Sequence, residues 1–232
     1  MIRFLFSMLV LACLLGCNET KKADEADTQN SDSLKTKEMS VDFTAIDKVF
    51  PTADDSVAVG IIKTKFGTIE VELFSKDAPK TVKNFIGLSL NGYYKGVIFH
   101  RVAKGFVIQG GDPTGTGAGG TSIYGDTFED ELNSETKSYK DGYQRGVLAM
   151  ANKGPNTNSS QFFIMLTEVS QMPKNYTIFG KVIKGMEVVD KIGASKITPV
   201  MGQNDGKPVE PIAMESVTVE KREKKINSIF DK

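Results

Sequence analysis

The chain has 232 residues, 40 % apolar and 25 % charged, enough for one sizeable soluble domain or two small ones. Its 29 Lys and Arg balance 29 Asp and Glu, so no field of one sign argues for a nucleic-acid partner. The two cysteines, Cys13 and Cys17, lie at the extreme N-terminus, so the rest of the chain offers no disulfide, Cys nucleophile or thiolate metal site.

The start, "MIRFLFSMLVLACLLGCNET", sets Arg3 before an apolar run, Phe4 to Leu15, too short to span a bilayer as a helix. It reads as a secretory signal. "LLGC", Leu14 to Cys17, resembles the lipobox of bacterial lipoproteins. That resemblance implies cleavage before Cys17, lipidation of its thiol and acylation of the new amine. Several acyl chains, at roughly 0.8 kcal/mol per buried CH₂, make a stable anchor where one chain does not. An ordinary signal peptide with an incidental cysteine is the plainer alternative; the polar residues directly after Cys17 favour the lipoprotein. The expected divisions are a signal peptide, 1–16; lipidated cysteine and flexible tether, 17–55; a folded domain, 56–221; and a solvated C-terminal tail, 222–232.

Asn18 to Ser40 is polar and nearly free of apolar residues, so disorder is expected. A flexible tether of about 25 residues would span roughly 25–30 Å. In Val41 to Phe50, the residues Phe43, Ile46 and Phe50 recur near helical spacing, which fits either a docking helix or a sticky linker; Pro51 ends the segment.

From Ser56 the pattern turns to strands. "TIEVELF" alternates Ile69, Val71 and Leu73 with Glu70 and Glu72, and it pairs with "VAVGIIKTK" across "FG". "APKTVKNFIGLSLNG" is helical, with Pro79 in the first turn, a stripe of Val82, Phe85, Ile86 and Ser89, and Gly92 as the stop. Short strands follow at "VIFHRV", "FVIQ", "GVLAMA", "QFFIML", "TIFGKV" and "ESVTVE", with a second helix over Met186 to Ile192. Many short strands, Gly-rich turns and two helices read as an all-β closed barrel.

Several motifs fail on context. "GTGAGG", Gly115 to Gly120, satisfies G-x-G-x-x-G, but no helical stripe follows to face a pyrophosphate, and Thr121 stands where a P-loop needs Lys. It reads as a surface loop. Ser159 and Ser160 lack a G-x-S-x-G frame to make a nucleophile with His100. One histidine among scattered carboxylates is a poor start for a metal site, and "FEDE", Phe128 to Glu131, reads as a solvated turn.

Strand alternation sorts what remains. Arg101 should share a face with Phe99, and His100 should point the other way. Val107 goes with Gln109, and Gln161 with Phe163. A small barrel fills its interior with apolar side chains, so Arg and Gln belong to an outer groove.

"FHRVAKGFVIQGGD", "GTGAGGTSIYGDTFEDE", "LAMANKGPNTNSSQFFI" and "YTIFGKVIKGMEVVD" occur in that order. Together they resemble the signature blocks of the cyclophilin-type peptidyl-prolyl isomerases, from about Val57 to Glu220. The resemblance implies a closed eight-stranded antiparallel β-barrel capped by two α-helices, mainly β. It implies isomerase activity on proline-containing polypeptides, with no cofactor and no metal, in a chain expected to be a monomer. It places the catalytic arginine on Arg101 and the carbonyl-binding glutamine on Gln109. The proline pocket falls on Phe106, Val107, Phe163, Met172 and Tyr176. Ala151 and Asn152 match the backbone-contact segment, and Lys153, Gln161 and Gly117 match neighbouring groove positions. Val107 stands where many relatives have Met, Tyr176 where many have His, and Gln171 where cyclosporin-sensitive members have Trp, so cyclosporin should bind weakly. With the lipobox, the expectation is an isomerase of exported or envelope proteins, on the periplasmic side or at the cell surface, held to a membrane through Cys17. A tethered binding module or holdase on the same fold is the alternative.

Overall fold

In a computed structural model, which describes residues 40–52 and 55–224, Asp42 opens the first helix, α1 (Phe43–Val49), by accepting the Ala45 N–H at 3.0 Å. Ile46 is fully buried, whereas Phe43 is half exposed. Phe50, just past the helix, lies under the Lys83 ammonium. The segment docks through Ile46 and so is the helix, not the linker.

β1 (Ser56–Thr64) and β2 (Gly67–Leu73) form the predicted hairpin, with Ile62 opposite Ile69. α2 (Pro79–Leu90) buries the predicted stripe and stops two residues before Gly92. Its N-cap, Ala78, has no side chain with which to cap it. Glu131 does so from a distance, accepting the Lys80 N–H at 3.0 Å, the Thr81 N–H at 2.8 Å and the Thr81 hydroxyl at 2.7 Å. "FEDE" is therefore not merely a solvated turn. The cap depends on tertiary folding, which no local spacing reveals.

β3 (Arg101–Ala103), β4 (Val107–Gly110), α3 (Lys137–Asp141), β5 (Val147–Met150), β6 (Phe162–Met165), β7 (Ile178–Lys184), α4 (Met186–Gly193), β8 (Ile197–Pro199), β9 (Asp205–Pro208) and β10 (Ser216–Glu223) complete the described chain. Ten strands and four helices among the described residues replace the expected eight and two. The additions are short: α3 is a single turn, and β8 and β9 form a polar hairpin with no apolar periodicity to announce it. β10 runs to Glu223, opposite Ser56, so Arg222 and Glu223 belong to the sheet and not to a tail. Arg222 reaches Glu70 at 2.6 Å. The signal peptide, Cys17, the tether to residue 39 and the tail from residue 225 lie outside the described residues.

The strands form one antiparallel sheet in the order β10-β1-β2-β7-β5-β6-β4-β3-β9-β8. The ladders end at β10 and β8 and do not by themselves close a barrel. Backbone bonds nonetheless tie the segment before β3 to that before β10: Phe99 N–H donates to Ile212 O at 2.9 Å and Met214 N–H to Val97 O at 2.8 Å. Val102, Ile108, Ile164 and Leu148 line up across β3, β4, β6 and β5 and enter the main core. There α2 contributes Phe85, whose ring meets Phe162 edge-on at 5.8 Å. No helix among the described residues is long and apolar enough to cross a membrane.

Candidate active site

The same register that sends Val102, Ile108 and Ile164 inward sends their neighbours outward. Arg101, Gln109, Phe163 and Ala149 are successive cross-strand partners on β3, β4, β6 and β5. Val107 and Met165 pair one step along, beside Ala103. Phe99 does not join Arg101 as predicted. Regular strand begins only at Arg101, and Phe99 turns into the core.

The polar half of this face is a relay. Arg101 Nη1 donates to Gln109 Oε1 at 3.0 Å, Gln109 Nε2 to Gln161 Oε1 at 3.0 Å, and Gln161 Nε2 to the carbonyls of Gly117 at 3.0 Å and Gly119 at 2.7 Å. On its other edge Arg101 meets Asp205: Nε donates to Oδ1 at 2.9 Å and Nη2 to Oδ2 at 2.7 Å. Among the described residues, three of the five guanidinium N–H donors are engaged, which leaves one on each Nη.

The apolar half is a groove of about 280 Å³ lined by Arg101, Phe106, Val107, Gln109, Ala151, Asn152, Phe163, Met172 and Tyr176. Phe163 and Tyr176 meet edge-on at 5.5 Å. Tyr143 fixes the Tyr176 backbone from below: its hydroxyl donates to Tyr176 O and accepts Tyr176 N–H, both at 3.0 Å. Burial pushes the Tyr143 hydroxyl up to about 12, so it stays protonated as that donor. Asn152 is held at the rim by its amide, which donates to Asn175 O at 2.9 Å.

Of the predicted site residues, Lys153, Gln161 and Gly117 do not line the groove. They build the loop beside it. Lys153 Nζ donates to Ala118 O at 2.8 Å, one residue from Gly117. Asp112, fully buried, organises this loop by accepting the N–H groups of Thr114, Thr116, Gly117 and Gly119 between 2.7 and 3.2 Å. Burial pushes its carboxyl up, but the Thr114 hydroxyl and these N–H groups outweigh that and bring it down to about 2. Gly117 sits at φ 84°, a conformation that suits glycine, with the His100 ring against it.

Sequence reasoning missed Asp112, Asp205 and Tyr143. "GGD" ahead of a Gly and Thr loop was a usable signal for Asp112, since Asp bonds backbone N–H groups a few residues on. Asp205 lies 104 residues from Arg101 in a polar hairpin, with no local signal. Ser160 is no nucleophile poised on His100: its hydroxyl donates to Gly111 O at 2.7 Å, and neither His100 nitrogen has a hydrogen-bond partner among the described residues.

A family model described as cyclophilin type peptidyl-prolyl cis-trans isomerase/CLD matches residues 59–219. The peptidyl-prolyl cis-trans isomerase ppi1 of Schizosaccharomyces pombe is 50 % identical over 151 residues, 65 % of this chain and 92 % of that protein. The isomerase CYP18-2 of Arabidopsis thaliana is 47 % identical over 151 residues, 65 % of this chain and 87 % of the relative. The crystal structure of a cyclophilin type isomerase from Cryptosporidium parvum superposes with a TM-score of 0.63 at 43 % identity, covering 71 % of this chain and 98 % of that one. A second structure of it, in the presence of the dipeptide Ala-Pro, gives 0.62 at 44 % identity, with 70 % and 98 % covered. With the family model spanning well over half its length and the fold following the family's, the chain belongs to the cyclophilins and is a peptidyl-prolyl cis-trans isomerase.

Proposed function

We propose that Arg101 carries the catalysis and that the substrate proline ring rests on Phe106, Val107, Phe163, Met172 and Tyr176. The observation behind this reading is a guanidinium fixed at the edge of an apolar groove with two donors unspent. Rotation about a peptide bond faces a barrier of about 18–20 kcal/mol because amide resonance must be broken. No covalent bond changes, so the enzyme need only bind the twisted amide better than either planar isomer. In the twisted state the prolyl nitrogen regains a lone pair. An always-charged arginine donates to that lone pair without any protonation step, and the apolar floor strengthens the bond by excluding water. Gln109 spends one amide hydrogen on Gln161 and keeps the other for a substrate carbonyl. Ala151 and Asn152 guide the substrate backbone, and Gln161, Gly117 and Lys153 flank the groove.

Arg101→Ala should lower kcat/KM on an X-Pro peptide by about 10²–10³-fold, the loss typical of removing one transition-state donor. A variant as fast as wild type would end the assignment.

The folded unit is read as running from α1, docked through Ile46, to the end of β10, with the barrel closing through the Phe99 and Met214 backbone bonds. Its work is read as isomerisation in exported proteins at a bacterial envelope, from a lipid anchor on Cys17. Support for the anchor is the N-terminal sequence alone, "LLGC" followed by a polar stretch, and the relatives named above are eukaryotic. Cys17→Ser should move the protein from the membrane to the soluble fraction; continued membrane retention would refute lipidation.

A further inference from the structure

We propose that Asp205 is a positioning residue of the isomerase reaction, holding Arg101 so that its two free donors face the twisted amide. The inference rests on the reading of Arg101 as the catalytic group. Asp205 does not line the groove, so it acts through Arg101.

The ion pair differs from an ordinary surface pair, which is exposed, flexible and of little consequence. Both side chains are largely covered, at 29 % exposure for Arg101 and 19 % for Asp205. The carboxylate takes Nε and Nη2 along one edge of the guanidinium, a planar two-point contact that a single donor could not make. Gln109 takes Nη1 from the other side at 3.0 Å. Held at three nitrogens, the plane cannot swing about the side-chain bonds.

Asp205 is itself anchored. It opens β9 opposite Ala103 of β3, two residues beyond Arg101. Its carbonyl accepts the N–H groups of Val200 at 2.9 Å and Met201 at 3.1 Å, and its own N–H donates to Gly202 O at 3.3 Å. The preceding residue, Asn204, accepts the Lys104 N–H at 2.8 Å. The β8–β9 hairpin thereby sets a carboxylate behind the arginine at a fixed height. The pair is also close to neutral, so Arg101 offers the prolyl nitrogen an aimed donor more than a bare charge.

The test measures kcat and KM separately on an X-Pro peptide for wild type, Asp205→Ala, Asp205→Asn, Arg101→Ala and the double variant Arg101→Ala/Asp205→Ala, with Tm alongside. Asp205→Ala should lower kcat about 10-fold with KM within about twofold, since misplacing a catalytic group costs turnover more than binding. Asp205→Asn, which keeps one acceptor for Nε, should recover to within about threefold of wild type. In the Arg101→Ala background, Asp205→Ala should cost nothing further. The Arg101 Nε–H signal in NMR should lose its protection from exchange in Asp205→Ala. Wild-type turnover in Asp205→Ala with Arg101→Ala inactive would overturn the inference and leave the Arg101 reading standing. Full activity in Arg101→Ala would overturn that reading itself. A loss in Asp205→Ala that persists without Arg101, or that Asp205→Asn shares in full alongside a lowered Tm, would make Asp205 structural only and overturn the inference.

Discussion

His100 is the only histidine of the chain, and its ring is buried against Gly117 with neither nitrogen hydrogen-bonded among the described residues. Burial lowers its pKa from the ordinary 6.5; the Asp112 carboxylate opposes the shift, and Arg101 and Lys207 add to it. The folded state therefore holds fewer protons than the unfolded chain below about pH 6.5. Stability from this residue is fully present above pH 6.5 and is lost as the pH falls through the lowered folded value. Chemical denaturation across pH 5 to 8 should show that decline, and His100→Phe should flatten it. Asp112 acts lower on the scale. Its depressed carboxyl contributes stability that persists above about pH 4 and is lost as the pH falls towards about 2. Asp112→Ala would strand four backbone N–H groups of the loop, at a cost of roughly 2–4 kcal/mol by denaturant unfolding.

At the scale of elements, α1 is held by close approach to α2. A Cβ on Gly87 would come within 2.9 Å of Ile46 Cδ1 and of Ile123 Cγ2. Gly87→Ala should push α1 off and expose residues 43–49 to early proteolysis, whereas Ile46→Ala should cost about 2–4 kcal/mol through the cavity it leaves. Elements with a regular apolar period were legible: the β1–β2 hairpin, α2 from Pro79, and α4 from Met186. Those built from polar or distant contacts were not. β8 and β9 carry no alternation because one pairs only with its neighbour and the other also with the three-residue β3. The cap of α2 sits on Glu131, and half of what holds Arg101 sits on Asp205. Both are separations that only the folded chain closes.

For the whole molecule, β10 is the seam. It pairs along β1 from Ser56 opposite Glu223 to Lys63 opposite Ser216, all but Thr64 of that strand. Ending the chain before Glu220 would strip the β10 partners from Ser56 to Val59 and remove Arg222 from Glu70. Thermal unfolding should then fall by several degrees or more; an unchanged Tm would show that the last turn of ladder contributes nothing. Strand alternation foresaw that Val107 and Gln109 share a face, but it wrongly set Phe99 beside Arg101, and it was the order of the sequence blocks that singled out Arg101, Gln109 and Phe163, which the register then brings side by side.

That alternation has a topological consequence. The groove lies on the outer surface of the sheet, while the interior is filled by Val102, Ile108, Ile164 and the aromatic cluster around Phe85. If the groove holds the substrate as proposed, a polypeptide need not be threaded into it by an end. It can be laid in sideways at any point along its length, so a proline in the middle of a long chain, or in a surface loop of a protein already mostly folded, is as accessible as one near a terminus.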